Sequence, residues 1–224
     1  LSMSPDEDKI LTDQWARIIV HLPYAFQAKR MFPDVFRHDR RNLPVWDEIE
    51  SEIGPEPIRE NFPEGIAGDS EFESANDVYR RMISKTDQFK HFVEERIEKT
   101  QRASSMVGNQ YTGSIFLALM SALESDFNDN QDMKGSRIGL CGYGSGAKAK
   151  VFEGIVQPGW REIASRFHLF ERLSTRHAIN KTVYEALHMG KRKRSVVKPS
   201  TEFALVSVGL EGDLEGQRRY QWVE

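Results

Sequence analysis

Ten consecutive residues, Ser114-Ile-Phe-Leu-Ala-Leu-Met-Ser-Ala-Leu123, constrain the fold more than any others in the chain. Wound at 3.6 residues per turn, their apolar side chains cover nearly the whole circumference of a helix. Such a helix offers no face to water, so it needs packing layers above and below it. The surrounding sequence supplies material for those layers. Trp15-Ala-Arg-Ile-Ile-Val-His21 is a short β-branched run that reads as a buried strand, and Arg137-Ile-Gly-Leu-Cys141 reads as another. Phe203–Leu210 and Gln217–Val223, separated by a turn with Gly212 and Gly216, read as a closing hairpin. With helices between the strands, the expected class is α/β or α+β, a mixed, well-buried sheet around a buried central helix.

Other elements follow from local signals. Pro23 ends the first strand, and Tyr24–Phe32 has helical character that Pro33 is expected to stop. One helix is expected from a cap at Ser74 or Asn76, with Val78, Met82, Phe89, Phe92, Val93 and Ile97 as its apolar stripe. Another is expected over Leu173–Met189, capped by Ser174. Residues 45–77 hold eleven acids against one base, Arg59, together with Pro55, Pro57 and Pro63. That composition reads as a partly irregular, solvated acidic insertion.

Composition narrows the function classes. The 31 basic and 34 acidic residues leave a formal charge of −3, which argues against a dedicated nucleic-acid binder. No run of about 18 apolar residues is present to span a bilayer. The single cysteine excludes an internal disulfide framework and fits a reducing compartment, so a cytoplasmic location is expected. The chain opens on Leu, which raises the expectation of a fragment or a processed product.

Gly144-Ser145-Gly146-Ala147-Lys148-Ala149 matches G-x-G-x-x-A after a strand, and a helix is expected from Ala147 to Glu153. A dinucleotide site would need a second strand ending in an acid about 20 residues later, and that strand is absent. The motif therefore reads first as a tight strand-to-helix turn. By position alone, His21 is a core histidine, Asn109 a turn or cap residue, and Cys141 a packed core thiol. His38, His91, His168, His177 and His188 show no metal-ligand spacing, so no metal site is expected. Lys191-Arg-Lys-Arg194 reads as a solvated loop with a lesser reading as an anion patch.

Three segments, taken in order, carry more than their parts: His21-Leu-Pro-Tyr24, Val107-Gly-Asn-Gln-Tyr-Thr-Gly-Ser114 and Arg137-Ile-Gly-Leu-Cys-Gly-Tyr-Gly-Ser-Gly146. Together with Gly216-Gln-Arg-Arg-Tyr220, they resemble the C-terminal half of 3-hydroxy-3-methylglutaryl-CoA synthase over nearly the whole of residues 1–224, least in 45–77. The resemblance implies a thiolase-like half of a layered α-β-α-β-α architecture. It implies condensation of acetyl-CoA with acetoacetyl-CoA to give 3-hydroxy-3-methylglutaryl-CoA and free CoA, as in mevalonate and isoprenoid precursor synthesis. No bound cofactor is implied, because the CoA thioesters are themselves the substrates.

On the family's pattern, His21 matches the histidine that orients the acetoacetyl group, and Asn109 and Ser145 match substrate-contacting positions. Lys29 and Arg30 match basic positions that meet CoA phosphates, while Phe26 stands where a lysine is common. The family's nucleophilic cysteine and acid/base glutamate belong to its N-terminal half, which is expected as a partner of this chain. Cys141 occupies a strand position that the family fills with a bulky residue. This chain alone is therefore expected to be inactive, and the complete enzyme to be a homodimer with no nucleic-acid or membrane partner. Two rivals share the motifs: a non-catalytic CoA- or acyl-binding module, and a relative that adds a β-branch to a carrier-bound polyketide.

Overall fold

The computed structural model describes residues 10–58, 61, 70–144 and 148–224. The chain forms two compact units, Leu1–Leu173 and Ser174–Glu224. In the first, α1 (Leu11–Gln14) leads into β1 (Arg17–Val20), followed by α2 (Gln27–Arg40), α3 (Pro44–Ile53), α4 (Ser70–Ile83), α5 (Asp87–Arg96), α6 (Glu98–Val107) and α7 (Ser114–Asn128). The hairpin β2 (Arg137–Gly144) and β3 (Lys148–Ile155) comes next, then α8 (Trp160–Ala164) and α9 (Leu169–Ser174).

The sheet is mixed, in the order β1-β2-β3, with β1 parallel to β2 and β3 antiparallel to it. Val20 lies opposite Cys141 and Ile18 opposite Gly139. Every residue of β1 is buried: Ile18, Ile19 and Val20 are apolar, and Arg17 is paired with Asp126. Gly139 is needed where it stands, because a Cβ there would overlap the Trp15 ring. The main core gathers β1 with Phe36, Ile49, Ile83, Phe89, Phe92 and Ile97, and a second cluster gathers Met133, Ile138, Val156 and Trp160. Leu119 of α7 touches both clusters, so this helix joins them.

Arg17, Ile19 and His21 alternate onto one face of the strand. Arg17 reaches Asp126 at one end of α7, with Nε 3.0 Å from Oδ2, and His21 reaches Ser114 at the other. Four strand residues advance about 13 Å and twelve helix residues about 18 Å, so two polar clamps pin one helix across one strand.

Several expectations are corrected. Pro33 does not end a helix but lies inside α2. Ala28, Phe32, Phe36 and Arg40 recur every fourth residue and are buried with it. Burying two Phe side chains, each about 1.5–3 kcal/mol, offsets the roughly 3 kcal/mol of an internal proline. The helix expected from a cap at Ser74 or Asn76 through Ile97 already runs from Ser70, with both residues inside α4. It is two helices, broken at Ser84-Lys85-Thr86, where Thr86 Oγ1 accepts the Phe89 N–H and restarts the chain as α5. Tyr79 and Ile83 are buried in place of Val78.

The acidic stretch is helical at both ends, in α3 and α4, with Trp46 and Ile49 buried. Glu56 is no solvated acid, since its carboxylate lies 3.5 Å from Arg37 of α2 and 3.7 Å from Arg41 just after it. Residues 59–60 and 62–69 lie outside the described residues.

α7 buries its small residues, Ser114, Ala118, Ser121, Ala122 and Ser125, while Phe116 is 63% exposed. Among the described residues α7 packs against α6, β1, β2 and α8, but the side that carries Phe116 is left open, so burial all round is not reached. The segment after the glycine turn is a strand, not a helix: Gly144 pairs with Lys148 and Arg137 with Ile155. Eight residues make a marginal helix on their own, whereas pairing with β2 satisfies their backbone. Glu153 seals the choice by accepting from Trp15 Nε1 at 2.6 Å and Arg137 at 2.9 Å.

The expected 173–189 helix is likewise divided. α9 starts where the Glu124 carboxylate accepts the N–H groups of Leu169 and Phe170, at 2.8 and 3.0 Å. The second unit holds α10 (Lys181–His188), capped by Asn180 rather than Ser174, and the hairpin β4 (Glu202–Val208) with β5 (Arg218–Val223). These strands form as expected, with Phe203 edge-on to Trp222 at 5.2 Å. They are exposed on both faces rather than buried. The Lys191–Arg194 loop is exposed and folds on itself, with Arg192 donating to the Arg194 carbonyl.

Candidate active site

The parallel pair β1–β2 opens at its C-terminal ends into a cleft of about 580 Å³, a size suited to a small ligand. His21, Asn109, Tyr111, Ile115, Tyr143 and Gly144 are among its lining residues. His21 is placed by the strand ladder, because its N–H donates to the Cys141 carbonyl at 2.9 Å and so extends β1 by one residue. Its Nδ1 lies 2.6 Å from Ser114 Oγ at the start of α7, and that hydroxyl also accepts the Leu22 N–H at 3.1 Å. Tyr143 stands edge-on to the imidazole at 5.0 Å, and Gln27 Nε2 donates to its hydroxyl at 2.7 Å. The ring is thus held on two sides.

Asn109 reaches the same cleft from the turn before α7. Its Oδ1 accepts the Tyr111 N–H at 2.7 Å, and Tyr111 sits in the left-handed region at φ 49°. Holding a non-glycine residue there is costly, and the side-chain bond of Asn109 supports it. With Oδ1 committed to a donor, the amide NH₂ is the end that remains for a ligand. The turn role and a substrate-facing role are therefore carried by opposite ends of one side chain.

Ser145 lies outside the described residues, although its neighbour Gly144 lines the cleft. Lys29 and Arg30 do not line it. They flank a separate cavity of about 590 Å³ with Phe26, Phe89 and Lys90. Lys29 is paired with Glu98 at 2.6 Å, and the Arg30 guanidinium lies 5.6 Å from the Tyr24 ring centre. Cys141 is a packed thiol, as its strand position suggests: it lies against the main core, and burial pushes its pKa up to about 11. That leaves it almost wholly protonated near neutral pH and unfit as a nucleophile.

The dinucleotide alternative loses its basis, since the glycine turn joins two strands and offers no helix N-terminus to a pyrophosphate. Among the described residues, no group of three His, Cys, Asp or Glu side chains could hold a metal ion, and no helix is long and apolar enough to cross a membrane. Sequence reasoning assigned no role to Ser114 or Tyr143. A serine opening a helix reads as a cap, and only the tertiary fold brings it onto the imidazole.

Residues 5–204 match the family model described as hydroxymethylglutaryl-coenzyme A synthase C terminal. A curated hydroxymethylglutaryl-CoA synthase from Haloferax volcanii is 30% identical over 218 residues, covering 95% of this chain and 47% of that protein. The solved structure of MvaS in complex with 3-hydroxy-3-methylglutaryl coenzyme A superposes with TM-score 0.62 at 22% identity, covering 98% of this chain and 44% of that one. The curacin-pathway HMG synthase in complex with holo donor-ACP superposes with TM-score 0.60 at 18% identity, over 97% of this chain and 45% of that one. The chain spans about half the length of the relatives it matches. From the family match over most of its length, together with the shared mixed α/β, thiolase-like fold, this chain belongs to the hydroxymethylglutaryl-CoA synthase family, whose C-terminal portion it represents.

Proposed function

We propose that this chain is a C-terminal HMG-CoA synthase domain forming the acetoacetyl-CoA side of the active site, completed by an N-terminal half that carries the nucleophilic cysteine and the acid/base glutamate. In the complete enzyme the partner thiolate takes the acetyl group from acetyl-CoA and releases CoA. The glutamate removes a proton from the acetyl methyl, and the resulting carbanion attacks the ketone of acetoacetyl-CoA. Water then cleaves the enzyme thioester to free 3-hydroxy-3-methylglutaryl-CoA.

In this scheme His21 donates a hydrogen bond to the ketone oxygen as it gains negative charge. The Asn109 NH₂ and the Ser145 hydroxyl hold the thioester end, and Lys29 and Arg30 meet the CoA phosphates. The observation that carries the reading is the meeting of His21 and Asn109 at one cleft, from segments 88 residues apart, while Cys141 is a core thiol. The setting we propose is cytoplasmic mevalonate synthesis by a homodimer of the complete protein.

The test is co-expression with an N-terminal half bearing the cysteine and glutamate, followed by an assay of CoA release from acetyl-CoA and acetoacetyl-CoA. Release is expected from the pair and not from this chain alone. His21→Ala is expected to lower the rate by about 10²–10³. A folded pair that releases no CoA refutes the proposal. Phe26, in the cavity beside Lys29 where relatives commonly carry a lysine, favours a second reading with carrier-bound substrates. A preference for acetoacetyl carrier protein over acetoacetyl-CoA in the same assay would select it.

A further inference from the structure

We infer that Ser114 is a positioning residue that fixes the tautomer of His21, so that the neutral ring carries its proton on Nε2 and presents a hydrogen-bond donor to the cleft. The inference rests on reading His21 as the group that meets the substrate oxygen. It says which nitrogen of the neutral ring does so.

The tautomer follows from a count of protons and lone pairs. A serine hydroxyl has one proton to give and two lone pairs to receive. Ser114 Oγ has no solvent exposure, and the Leu22 N–H, 3.1 Å away, takes one lone pair. The Nδ1 atom of His21 is 2.6 Å from the same oxygen. If Nδ1 bore the ring proton, the hydroxyl would receive two hydrogen bonds and its own proton would have no acceptor among the described residues. If Nδ1 is bare, it accepts the hydroxyl proton, and backbone, hydroxyl and ring are all satisfied together. Stranding a buried donor disfavours a state by roughly five- to 150-fold. The second arrangement therefore prevails, and the remaining ring proton sits on Nε2, which has no partner among the described residues.

The consequence is chemical. A ring fixed this way can donate to an oxygen in the cleft through Nε2, and its bare nitrogen is occupied by Ser114. His21 is thereby set up as a donor rather than a general base, leaving proton abstraction to another group. The same serine sits at the first turn of α7, directly after the turn that Asn109 supports, so one helix start sets both site residues.

Long-range ¹H–¹⁵N correlation of the histidine rings in the ¹⁵N-labelled chain at alkaline pH tests this directly. The His21 signals are identified by their loss in His21→Asn. The expected wild-type ring is protonated on Nε2 and bare on Nδ1. Ser114→Ala is expected to lower the tautomer ratio at least fivefold, and Ser114→Thr, which keeps the hydroxyl, to restore it. A wild-type ring protonated on Nδ1 overturns the inference without any variant. So does an unchanged ratio in a Ser114→Ala chain whose amide spectrum shows the native fold. The readout is independent of CoA release, so a failed reconstitution and a failed tautomer assignment are told apart.

Discussion

Removing the Asp126 carboxylate should destabilise the Leu1–Leu173 unit by about 3 kcal/mol, toward the lower edge of the range for breaking a buried ion pair. Asp126 is fully buried and faces two cations. Arg17, 5% exposed, donates to it at 3.0 Å through Nε and at 2.5 Å through a terminal nitrogen, and Lys99 donates at 2.8 Å. In Asp126→Ala, Arg17 would keep neutral acceptors at Gln131 Oε1 and the Glu95 carbonyl, and Lys99 would keep Asp129 at 2.7 Å. Those remaining partners hold the cost near 3 rather than 5 kcal/mol. For a unit of this size the loss corresponds to about 6–12 °C in Tm. Urea unfolding followed by the fluorescence of Trp15, Trp46 and Trp160 measures it. The paired change Arg17→Met with Asp126→Leu should cost far less, because both buried charges leave together. An Asp126→Ala cost below about 1 kcal/mol, or a double variant as unstable as the single one, would refute the reasoning.

Three further outcomes follow from particular contacts. Gly139→Ala should cost about 1–3 kcal/mol or more in a urea melt, since its Cβ would overlap the Trp15 ring. Thr86→Ala should cost about 1–2 kcal/mol, measured the same way, because it removes the cap of α5 and leaves the Phe89 N–H without its acceptor. Cys141 should alkylate about a hundredfold more slowly near neutral pH than an ordinary thiol, because burial raises its pKa from 9.0 to about 11. The folded state therefore holds the neutral thiol. Its contribution to stability is present in full below pH 9 and is lost as pH rises from about 9 to 11. Iodoacetamide rates across that window check the first part, and the pH dependence of the urea midpoint checks the second.

Much of the fold was legible because it depends on local pattern. The β-branched run at 18–20 and the strand at 137–141 announce themselves, and so does the closing hairpin; that the strand continues to Gly144 is added by its pairing with β3. The errors have a common physical form. Pro33 and the Lys148–Ile155 segment carry local preferences that burial of Phe36 and pairing with β2 override. The break at Ser84-Lys85-Thr86 was hidden because apolar spacing runs across it, while the cap that divides the helix is a buried threonine. His21 and Asn109 were found through motif resemblance; their positions alone suggested only a core residue and a turn residue.

What the sequence determined by itself is the identity of the chemical groups and the strands and helices that carry them. It determined family membership, the cysteine count, and an apolar helix too hydrophobic for open solvent. Tertiary structure decided which of those groups meet. Arg17 and His21 lie on one strand face, and Asp126 and Ser114 at the two ends of one helix. No spacing along the chain encodes that these ends coincide, because contact between residues about 100 apart depends on how strand and helix pack. The tautomer of the neutral imidazole is set there too, by a serine whose hydroxyl has a single acceptor for its proton among the described residues once the fold has closed around it.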